Sequence, residues 1–397
     1  MPVELVYAPA LEAYRFTRSH PLVPERFSLA VDLMAAWDLL TEDPADGGRA
    51  FWIAEFAPAR SVDLERVHDS AYLEVVRIEA GPSVADELYG LGEGDTPRFP
   101  RMHEAAALAC GATIRALDDV VSGAARRAFA PAGGLHHAHR DRAAGFCVYN
   151  DCAIAIAKAT AEHPGLRVAY VDIDAHHGDG VQEAFLARCD VLTVSVHESG
   201  RYLYPGTGAA RDIGEGEGKG FAINVPLPPH AEPDDYARVF QYVVEPALSA
   251  FGPDVIVAQL GADAHRADPL THLRLTVAGH TALVRRLVAA ADALCGGRIV
   301  ATGGGGYDAY CATPRAWASA MAVLLGVEVP EQLPPAWLER AATAARSAGA
   351  TGACVARTFD ELPVADPPVT AEETSRLVDR VIGEVRAYSS LVGEALP

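Results

Sequence analysis

The stretch VDIDAHHGDG, residues 171–180, places three carboxylates and two histidines directly after the apolar run RVAY. Alternate side chains of an extended strand share a face, so we expect Asp172, Asp174 and His176 to point the same way. A carboxylate and an imidazole at this spacing can hold one divalent cation, because both offer lone pairs. Asp263 follows another apolar strand in DVIVAQLGADAH and is the candidate third ligand. An Asp2His set with an open position is typical of metal-assisted hydrolysis.

A second cluster is the adjacent pair His136 and His137 in the glycine-rich sequence APAGGLHHAHRD. Imidazoles in such a loop can accept and donate protons near neutral pH, provided that a carboxylate orients each ring. The first cluster leaves two carboxylates for this purpose, on Asp172 and Asp179. We interpret two further histidines, His103 and His139, as ordinary loop residues in solvent.

The third element is RIVATGGGGYDAY, residues 298–310, in which a strand runs into four consecutive glycines. Neither G-x-G-x-x-G nor G-K-[ST] is present, so a phosphate loop is disfavoured. We expect the glycines to bring Tyr307 to a ligand, where a phenol can donate a hydrogen bond to a developing oxyanion.

Apolar, β-branched strands alternate with helical patterns along the chain, which is typical of an α/β protein with a mainly parallel central sheet flanked by helices on both faces. Ligands bind such sheets at the carboxyl ends of the strands. The predicted strands are VELVY, RVAYVDID, DVLTVSV, FAINV, DVIVAQL and GRIVAT. The predicted helices are Pro24–Leu40, Met102–Ser122, Asn150–Ala161, Asp234–Ala250, Thr276–Leu294, Thr313–Leu325 and Ala371–Val392.

The composition of the 397 residues narrows the functional class. A net charge of −20 disfavours nucleic-acid binding. The seven cysteines are odd in number and never form C-x-x-C, so neither a disulfide framework nor a cysteine zinc site is predicted. No leader pattern or apolar run of membrane-spanning length is visible, and we expect a soluble cytoplasmic protein. We predict a catalytic domain over residues 1–326 and a C-terminal helical extension, 327–397, packed on the same domain.

In order and spacing these motifs resemble the histone-deacetylase superfamily, and specifically its bacterial acetoin-utilisation deacetylase branch. The resemblance covers roughly residues 15–325. The matching segments are HPLVPERF, HDSAYLEVV, GDTPRFPRMHEAA, GGLHHAHRDRAAGFCVYND, VDIDAHHGDGVQEAF, SVHESGRYLYPGTG, GADAHRADPLTHL and TGGGGY. It implies a metal-dependent amidohydrolase of the arginase/deacetylase fold that removes acetyl groups from acetyl-lysine side chains of proteins.

The resemblance also implies a role for each matching residue. Zn²⁺, or alternatively Fe²⁺, would be held by Asp174, His176 and Asp263. His136 and His137 would be the acid–base pair, with Asp172 and Asp179 as their carboxylate partners, and Tyr307 would polarise the acetyl carbonyl. The implied substrate-binding residues are Asp95, Gly145, Phe146, Tyr204 and Leu270, and Arg26 matches the arginine of an acetate-release channel. A structural K⁺ is implied near Asp172, Asp174, His176, Ser195 and Val196.

Four alternatives stay open at this point. A two-metal ureohydrolase is disfavoured because Gly178 stands where a second metal needs an aspartate. A metallo-β-lactamase site is hinted at by His137, His139 and Asp141, but Arg142 stands where the motif needs a histidine. An acetylpolyamine or other small acyl-amide amidohydrolase would suit an acidic protein. A non-catalytic acyl-lysine binding protein is disfavoured because every expected ligand and Tyr307 are present.

Overall fold

The computed structural model describes residues 2–43, 45–78, 84–92 and 94–393. A nine-stranded sheet forms its centre, in the order β2-β3-β1-β4-β9-β8-β5-β6-β7 with every neighbouring pair parallel. The strands are β1 (Val3–Val6), β2 (Leu40–Thr41), β3 (Ala50–Ile53), β4 (Arg127–Ala130), β5 (Val168–Asp172), β6 (Val191–Glu198), β7 (Ala222–Leu227), β8 (Val255–Gln259) and β9 (Ile299–Thr302). The predicted α/β class with a parallel sheet is confirmed.

Helices connect the strands and follow them at the carboxyl end of the chain. They are α1 (Glu25–Ala36), α2 (Ser61–Leu64), α3 (Ser70–Arg77), α4 (Val84–Leu88), α5 (Met102–Ser122), α6 (Asp151–Glu162), α7 (Asp179–Phe185), α8 (Pro233–Val239), α9 (Glu245–Phe251), α10 (Val277–Leu294), α11 (Ala312–Leu325), α12 (Pro335–Ser347), α13 (Ala371–Tyr388) and α14 (Ser390–Gly393). Short 3-10 turns lie at Pro9–Ala13 and Gly216–Gly218.

Two hydrophobic cores lie on opposite faces of the sheet, because successive strand residues point to opposite sides. Ala169 and Val171 of β5 join the core that includes Leu287 of α10 and Trp317 of α11. Residues of the opposite parity, such as Tyr170, join the core formed with α5, α6 and α7. Both faces of the central strands are therefore buried, which explains why their sequences are apolar throughout.

The six predicted strands are present, and β2, β3 and β4 were not predicted. β2 and β3 have only two and four residues, too few to show a period. The predicted helix Asp234–Ala250 is divided by a π-helical segment, Phe240–Val244, which lies just before Pro246 in the first turn of α9. Proline has no backbone N–H to donate, so a regular helical hydrogen bond is lost at this point.

The segment after residue 326 packs against the preceding elements. The Trp337 indole of α12 donates to the Leu29 carbonyl at 2.8 Å, and the Ser375 hydroxyl of α13 donates to Asp235 at 2.7 Å. Cys311 and Cys354 form a disulfide, which differs from the predicted absence of a disulfide framework. The division at residue 326 itself stays a prediction. Among the described helices, none has the length and apolar character needed to cross a bilayer.

Candidate active site

The first cluster lies in the turn that follows β5, since the strand ends at Asp172. Strand alternation therefore does not align Asp172, Asp174 and His176, and this prediction was wrong. Hydrogen bonds shape the turn instead: Asp172 Oδ1 accepts the Asp174 N–H, and Asp174 Oδ1 accepts the His176 N–H, each at 3.0 Å. Each carboxylate thus orients the next functional residue along the chain.

Asp174, His176 and Asp263 converge, with their candidate ligand atoms all within 4.8 Å of one another. His176 Nδ1 lies 3.1 Å from Asp174 Oδ1 and 2.9 Å from Asp263 Oδ2. The other oxygens of the two carboxylates are occupied by backbone and amide donors from Gly305, Gln259 and Ala175. Two buried carboxylates and one imidazole, each with a lone pair facing a common point, fit a divalent cation.

The electrostatics of this set also point to a cation. Burial disfavours the imidazolium form of His176, but Asp174 and Asp263 outweigh burial and hold its pKa well above its usual value. Burial and the neighbouring Asp174 carboxylate raise the pKa of Asp263 to about 6. Positive charge between the two carboxylates relieves their repulsion, so a cation at this point is stabilised.

Each histidine of the adjacent pair contacts its own aspartate. His136 Nδ1 lies 2.7 Å from Asp172 Oδ2, and His137 Nδ1 lies 2.7 Å from Asp179 Oδ1. The two Nε2 atoms face each other at 3.1 Å. The structure thus brings together the two histidines with the two aspartates that the sequence predicted as their partners.

The two histidines differ in their preferred protonation state. Burial opposes charge on His136, but Asp172 and Asp174 overcome it and raise its pKa to about 9. Burial and the charge on His136 lower the pKa of His137 to about 4, although Asp179 acts in the opposite direction. These opposite shifts favour the charged form of His136 and the neutral form of His137, and a neutral imidazole can accept a proton.

The loop that carries the histidine pair is held by buried polar side chains. The Asp151 carboxylate accepts the N–H groups of Gly134 and Leu135, with a shortest distance of 2.7 Å to Leu135. The Asn150 amide donates to the carbonyls of His136 and Ala138, each at 3.1 Å. Because these bonds fix the backbone on both sides of the pair, the ring positions are set before a ligand arrives.

Tyr307 reaches the same site from the glycine loop after β9. Its N–H donates to Asp268 Oδ2 at 2.7 Å, and the buried Arg26 guanidinium lies 6.0 Å from its ring centre and donates to the Gly306 carbonyl. Burial holds the pKa of the Tyr307 phenol well above its usual value, so the hydroxyl keeps its proton and can donate a hydrogen bond.

A narrow pocket of about 20 Å³ lies between these groups. Its lining residues are Leu22, Gly134, Leu135, His136, His137, Gly145, Cys147, Asp174, His176, Gly304, Gly305 and Tyr307. A small polar group entering this pocket would meet the cation ligands, the histidine pair and the tyrosine together.

Of the five predicted substrate-binding residues, Gly145 lines this pocket, and Phe146, Tyr204 and Asp95 contact residues that line it. The Phe146 ring centre lies 5.7 Å from the ring centre of Tyr307, and the Tyr204 ring centre lies 5.1 Å from that of His137. Asp95 is exposed, and its carboxylate accepts the Gly145 N–H at 2.8 Å. The fifth residue, Leu270, is half-buried and does not line the pocket among the described residues.

Two histidines that we expected in solvent are placed differently. His139 is only 8% exposed, and its ring lies between Asp179 and Glu183. His103 is half-buried on α5 and contacts the Tyr149 hydroxyl at 2.9 Å. The solvent interpretation was therefore wrong for His139, whose ring is covered by side chains of α7, and only partly right for His103, which lies on α5 beside Tyr149.

The described geometry agrees with comparisons to known proteins. The histone deacetylase domain profile matches residues 20–324 of the chain. This chain belongs to the histone deacetylase family. The acetoin utilization protein AcuC of Bacillus subtilis (strain 168) is 41% identical over 336 residues, covering 84% of each chain. AcuC of Staphylococcus xylosus is 34% identical over 340 residues, covering 84% of this chain and 86% of that protein.

A solved structure of the family supports the same assignment. The crystal structure of an HDAC homolog from Aquifex aeolicus matches with a TM-score of 0.80 at 30% identity, covering 95% of this chain and 100% of that chain. The fold is therefore the single-domain fold of this deacetylase family, and the resemblance predicted from the motifs is confirmed.

The geometry of this family member also bears on two of the alternatives. A Cβ on Gly178 would lie 2.5 Å from Asp172 Oδ2, so an aspartate at this position would have to displace the buried Asp172 carboxylate. The His139 ring faces Asp179 and Glu183, and Asp141 is exposed beside Arg142, so His137, His139 and Asp141 do not converge on a metal. Among the described residues, neither the second metal position of a ureohydrolase nor the metal cluster of a β-lactamase is present.

Several supporting residues of the site were not found from the sequence. Two of them had a usable signal: Tyr170 shares strand parity with Asp172, and Glu183 lies one helical turn after Asp179. Asp151 and Gln259 had none, because their partners in the histidine loop and on Asp174 are distant in sequence.

Proposed function

We propose that this histone deacetylase family member removes acetyl groups from acetyl-lysine side chains of proteins. The observation that carries the proposal is that the candidate cation ligands Asp174, His176 and Asp263 lie together beside a pocket lined by the His136–His137 pair and Tyr307. These are the parts that amide hydrolysis needs: a way to activate water, a proton carrier and an oxyanion donor.

Asp174, His176 and Asp263 would hold Zn²⁺, with Fe²⁺ as the alternative. When bound, the cation would acidify a water molecule and polarise the acetyl carbonyl. The structural K⁺ near Asp172, Asp174, His176, Ser195 and Val196 belongs to the same proposal. It is supported by the register of the sheet, in which Asp172 of β5 pairs with Ser195 of β6.

The protein side chains then divide the proton transfers. Neutral His137 accepts a proton from the attacking water and returns it to the amine nitrogen as the C–N bond breaks, which leaves acetic acid and the free amine; transfer of the acid proton then gives acetate and the ammonium form. Charged His136 stabilises the negative charge that develops beside it. The Tyr307 hydroxyl donates to the carbonyl oxygen as it becomes an oxyanion. Asp172 and Asp179 orient the two rings through their Nδ1 atoms.

The residues beside the pocket favour a substrate in which a long methylene chain carries the acetyl amide. The Phe146 and Tyr204 rings are suited to pack along the methylene stem of acetyl-lysine, and the Asp95 carboxylate near the entrance can accept a substrate backbone N–H. Two further residues belong to the proposed substrate contacts. Gly145 would offer a backbone carbonyl in the tunnel wall, and Leu270 would form part of the apolar rim.

The test measures acetate release by metal-reconstituted protein from an acetyl-lysine peptide and from N-acetylputrescine, each with and without a chelator. Chelator-sensitive turnover that favours the peptide is expected. Asp263→Asn should abolish this turnover, whereas Asp141→Asn, a matched exposed aspartate, should not change it. Preference for N-acetylputrescine would instead assign the small acyl-amide function, and tight peptide binding without any turnover would indicate an acyl-lysine binding protein.

A further inference from the structure

His139 connects the histidine pair to the surface through Asp179. Asp179 Oδ1 faces His137 Nδ1 at 2.7 Å, while Asp179 Oδ2 lies 3.3 Å from His139 Nε2. On its other side the His139 ring contacts Glu183 through Nδ1. A single ring therefore bridges the carboxylate that orients His137 and a second carboxylate one turn along α7.

Both ring nitrogens of His139 face carboxylate oxygens, which only accept hydrogen bonds. A neutral imidazole would leave one bare nitrogen against a carboxylate lone pair, whereas an imidazolium can donate to Glu183 and form an ion pair with Asp179. The adjacent carboxylates outweigh burial and raise the pKa of His139 to about 9, in agreement with this geometry.

The other groups around His139 do not change this charge state. Its N–H donates to the Arg142 carbonyl at 3.0 Å, and its carbonyl accepts a hydrogen bond from His68 Nδ1 at 2.8 Å. Burial lowers the pKa of His68 to about 4, so this second imidazole stays neutral beside His139. The positive charge of the cluster is therefore centred on the His139 ring.

The bridge also resolves a conflict within α7. Asp179 and Glu183 are four residues apart, a spacing at which like charges on one helical face repel. Without a cation between them, the Asp179 side chain would gain by turning away from Glu183, and its contact with His137 would loosen. The ring of His139 offsets this repulsion and occupies the oxygen of Asp179 that does not face His137.

From this geometry we propose that His139 is a positioning residue that acts, as a cation bridging Asp179 and Glu183, to hold Asp179 in place for His137 during deacetylation. The expected change in kcat rests on the proposed function, whereas the expected position of Asp179 rests on the structure alone. The His139 side chain does not line the pocket, so we expect substrate affinity to be unaffected.

The kinetic test compares His139→Gln with His139→Lys in the zinc-reconstituted protein acting on an acetyl-lysine peptide. Glutamine has similar size but no charge, and we expect kcat to fall about 10-fold while KM stays within about twofold. Lysine restores the charge and should bring kcat back to within about threefold of the wild type. The matched control is His163→Gln at an exposed histidine after α6, which should leave kcat unchanged.

A second variant covers the case in which His139→Gln does not fold. Glu183→Gln removes the outer carboxylate, whose side chain is 43% exposed, so folding should be retained. We expect a smaller loss of kcat, about threefold, again with little change in KM. Wild-type kcat in both His139→Gln and Glu183→Gln, or a His139→Lys variant as slow as His139→Gln, would overturn the proposal.

A readout independent of turnover separates this proposal from the proposed function. In ¹⁵N-histidine NMR at pH 7.5, His139 should show both ring nitrogens protonated, and His139→Gln should shift or broaden the His137 Nδ1–H signal. A neutral His139, or a His137 signal that is the same in His139→Gln, would contradict the positioning role. If the wild type hydrolyses no acetyl substrate, the proposed function fails and these signals still decide the role of His139.

Discussion

The two histidine–aspartate pairs of the site have the same internal distance, 2.7 Å, but opposite surroundings. Asp172 is fully buried at the end of β5, where it also accepts the Tyr170 hydroxyl and the Asp174 N–H. Asp179 begins α7, and its second oxygen faces His139, which also contacts Glu183. The difference shows that a His–Asp pair has no fixed role, because its surroundings decide whether the ring is charged or neutral.

The largest expected effect compares removal of each ring. His137→Ala should lower kcat on the order of 1,000-fold, because the proton carrier is lost, whereas His136→Ala should cost about 10-fold to 100-fold through lost charge stabilisation. Steady-state acetate release measures kcat, and fluorescence anisotropy of a labelled acetyl-lysine peptide should show binding retained by His137→Ala. A larger loss in His136→Ala would reverse the assignment of the two roles.

Replacing each aspartate tests how much its contact with histidine contributes to the free energy of unfolding. Asp172→Asn should lower the free energy of unfolding by about 3 kcal/mol, because it leaves a charged His136 without its buried partner. Asp179→Asn should cost less, since Asp179 lies nearer the surface, and should act mainly on kcat. Urea unfolding of both variants checks the order, and equal losses would mean that the two pairs are equally embedded.

The pH dependence of stability tests the loop that carries both pairs. His68 accepts the Asn150 N–H at Nε2 and donates to the His139 carbonyl at Nδ1, so only its neutral form fits. Burial lowers the pKa of His68 from 6.5 to about 4. The unfolded chain therefore binds this proton first, and stability present above pH 6.5 is lost as the pH falls towards 4.

Between pH 7 and 4.5 this single group should cost about 2 kcal/mol of stability. The measurement is urea unfolding of the wild type and of His68→Leu across this range. The wild type should lose more stability than the variant, which has no titrating group at this position. Parallel pH curves for the two proteins would exclude His68 as a source of the acid sensitivity.

The smallest expected effect comes from removing a hydrogen bond to Asp172 while its carboxylate is kept. Tyr170→Phe removes one hydroxyl, which donates to Asp172 Oδ2 at 2.7 Å, and should cost about 1 kcal/mol of unfolding free energy. kcat should change less than in Asp179→Asn, because His136 keeps its carboxylate. A loss of kcat as large as that of Asp179→Asn would mean that Asp172 depends on Tyr170 for its orientation.

The sequence predicted the sheet and the convergence of the proposed ligands because strand ends meet at one edge in a parallel sheet. It did not predict how Asp172, Asp174 and His176 converge, since that depends on hydrogen bonds in a turn rather than on strand period. His139 was missed for a related reason: its partners Asp179 and Glu183 lie some forty residues away on α7. The proposed roles of the predicted site residues stay predictions until the variants are measured.

One feature behind the site links the end of the family match to the stability of the whole chain. Arg315 of α11 is 1% exposed, and its guanidinium donates to the carbonyls of Thr358 and Asp360. Glu361 approaches the same guanidinium and also bonds His265, two residues after Asp263. A protein truncated after residue 326 would keep every proposed catalytic group. It would leave the buried Arg315 guanidinium without these hydrogen-bond acceptors. The residues matched by the family profile, 20–324, therefore lack contacts that the folded domain needs, and expression of this region alone should yield an unstable protein.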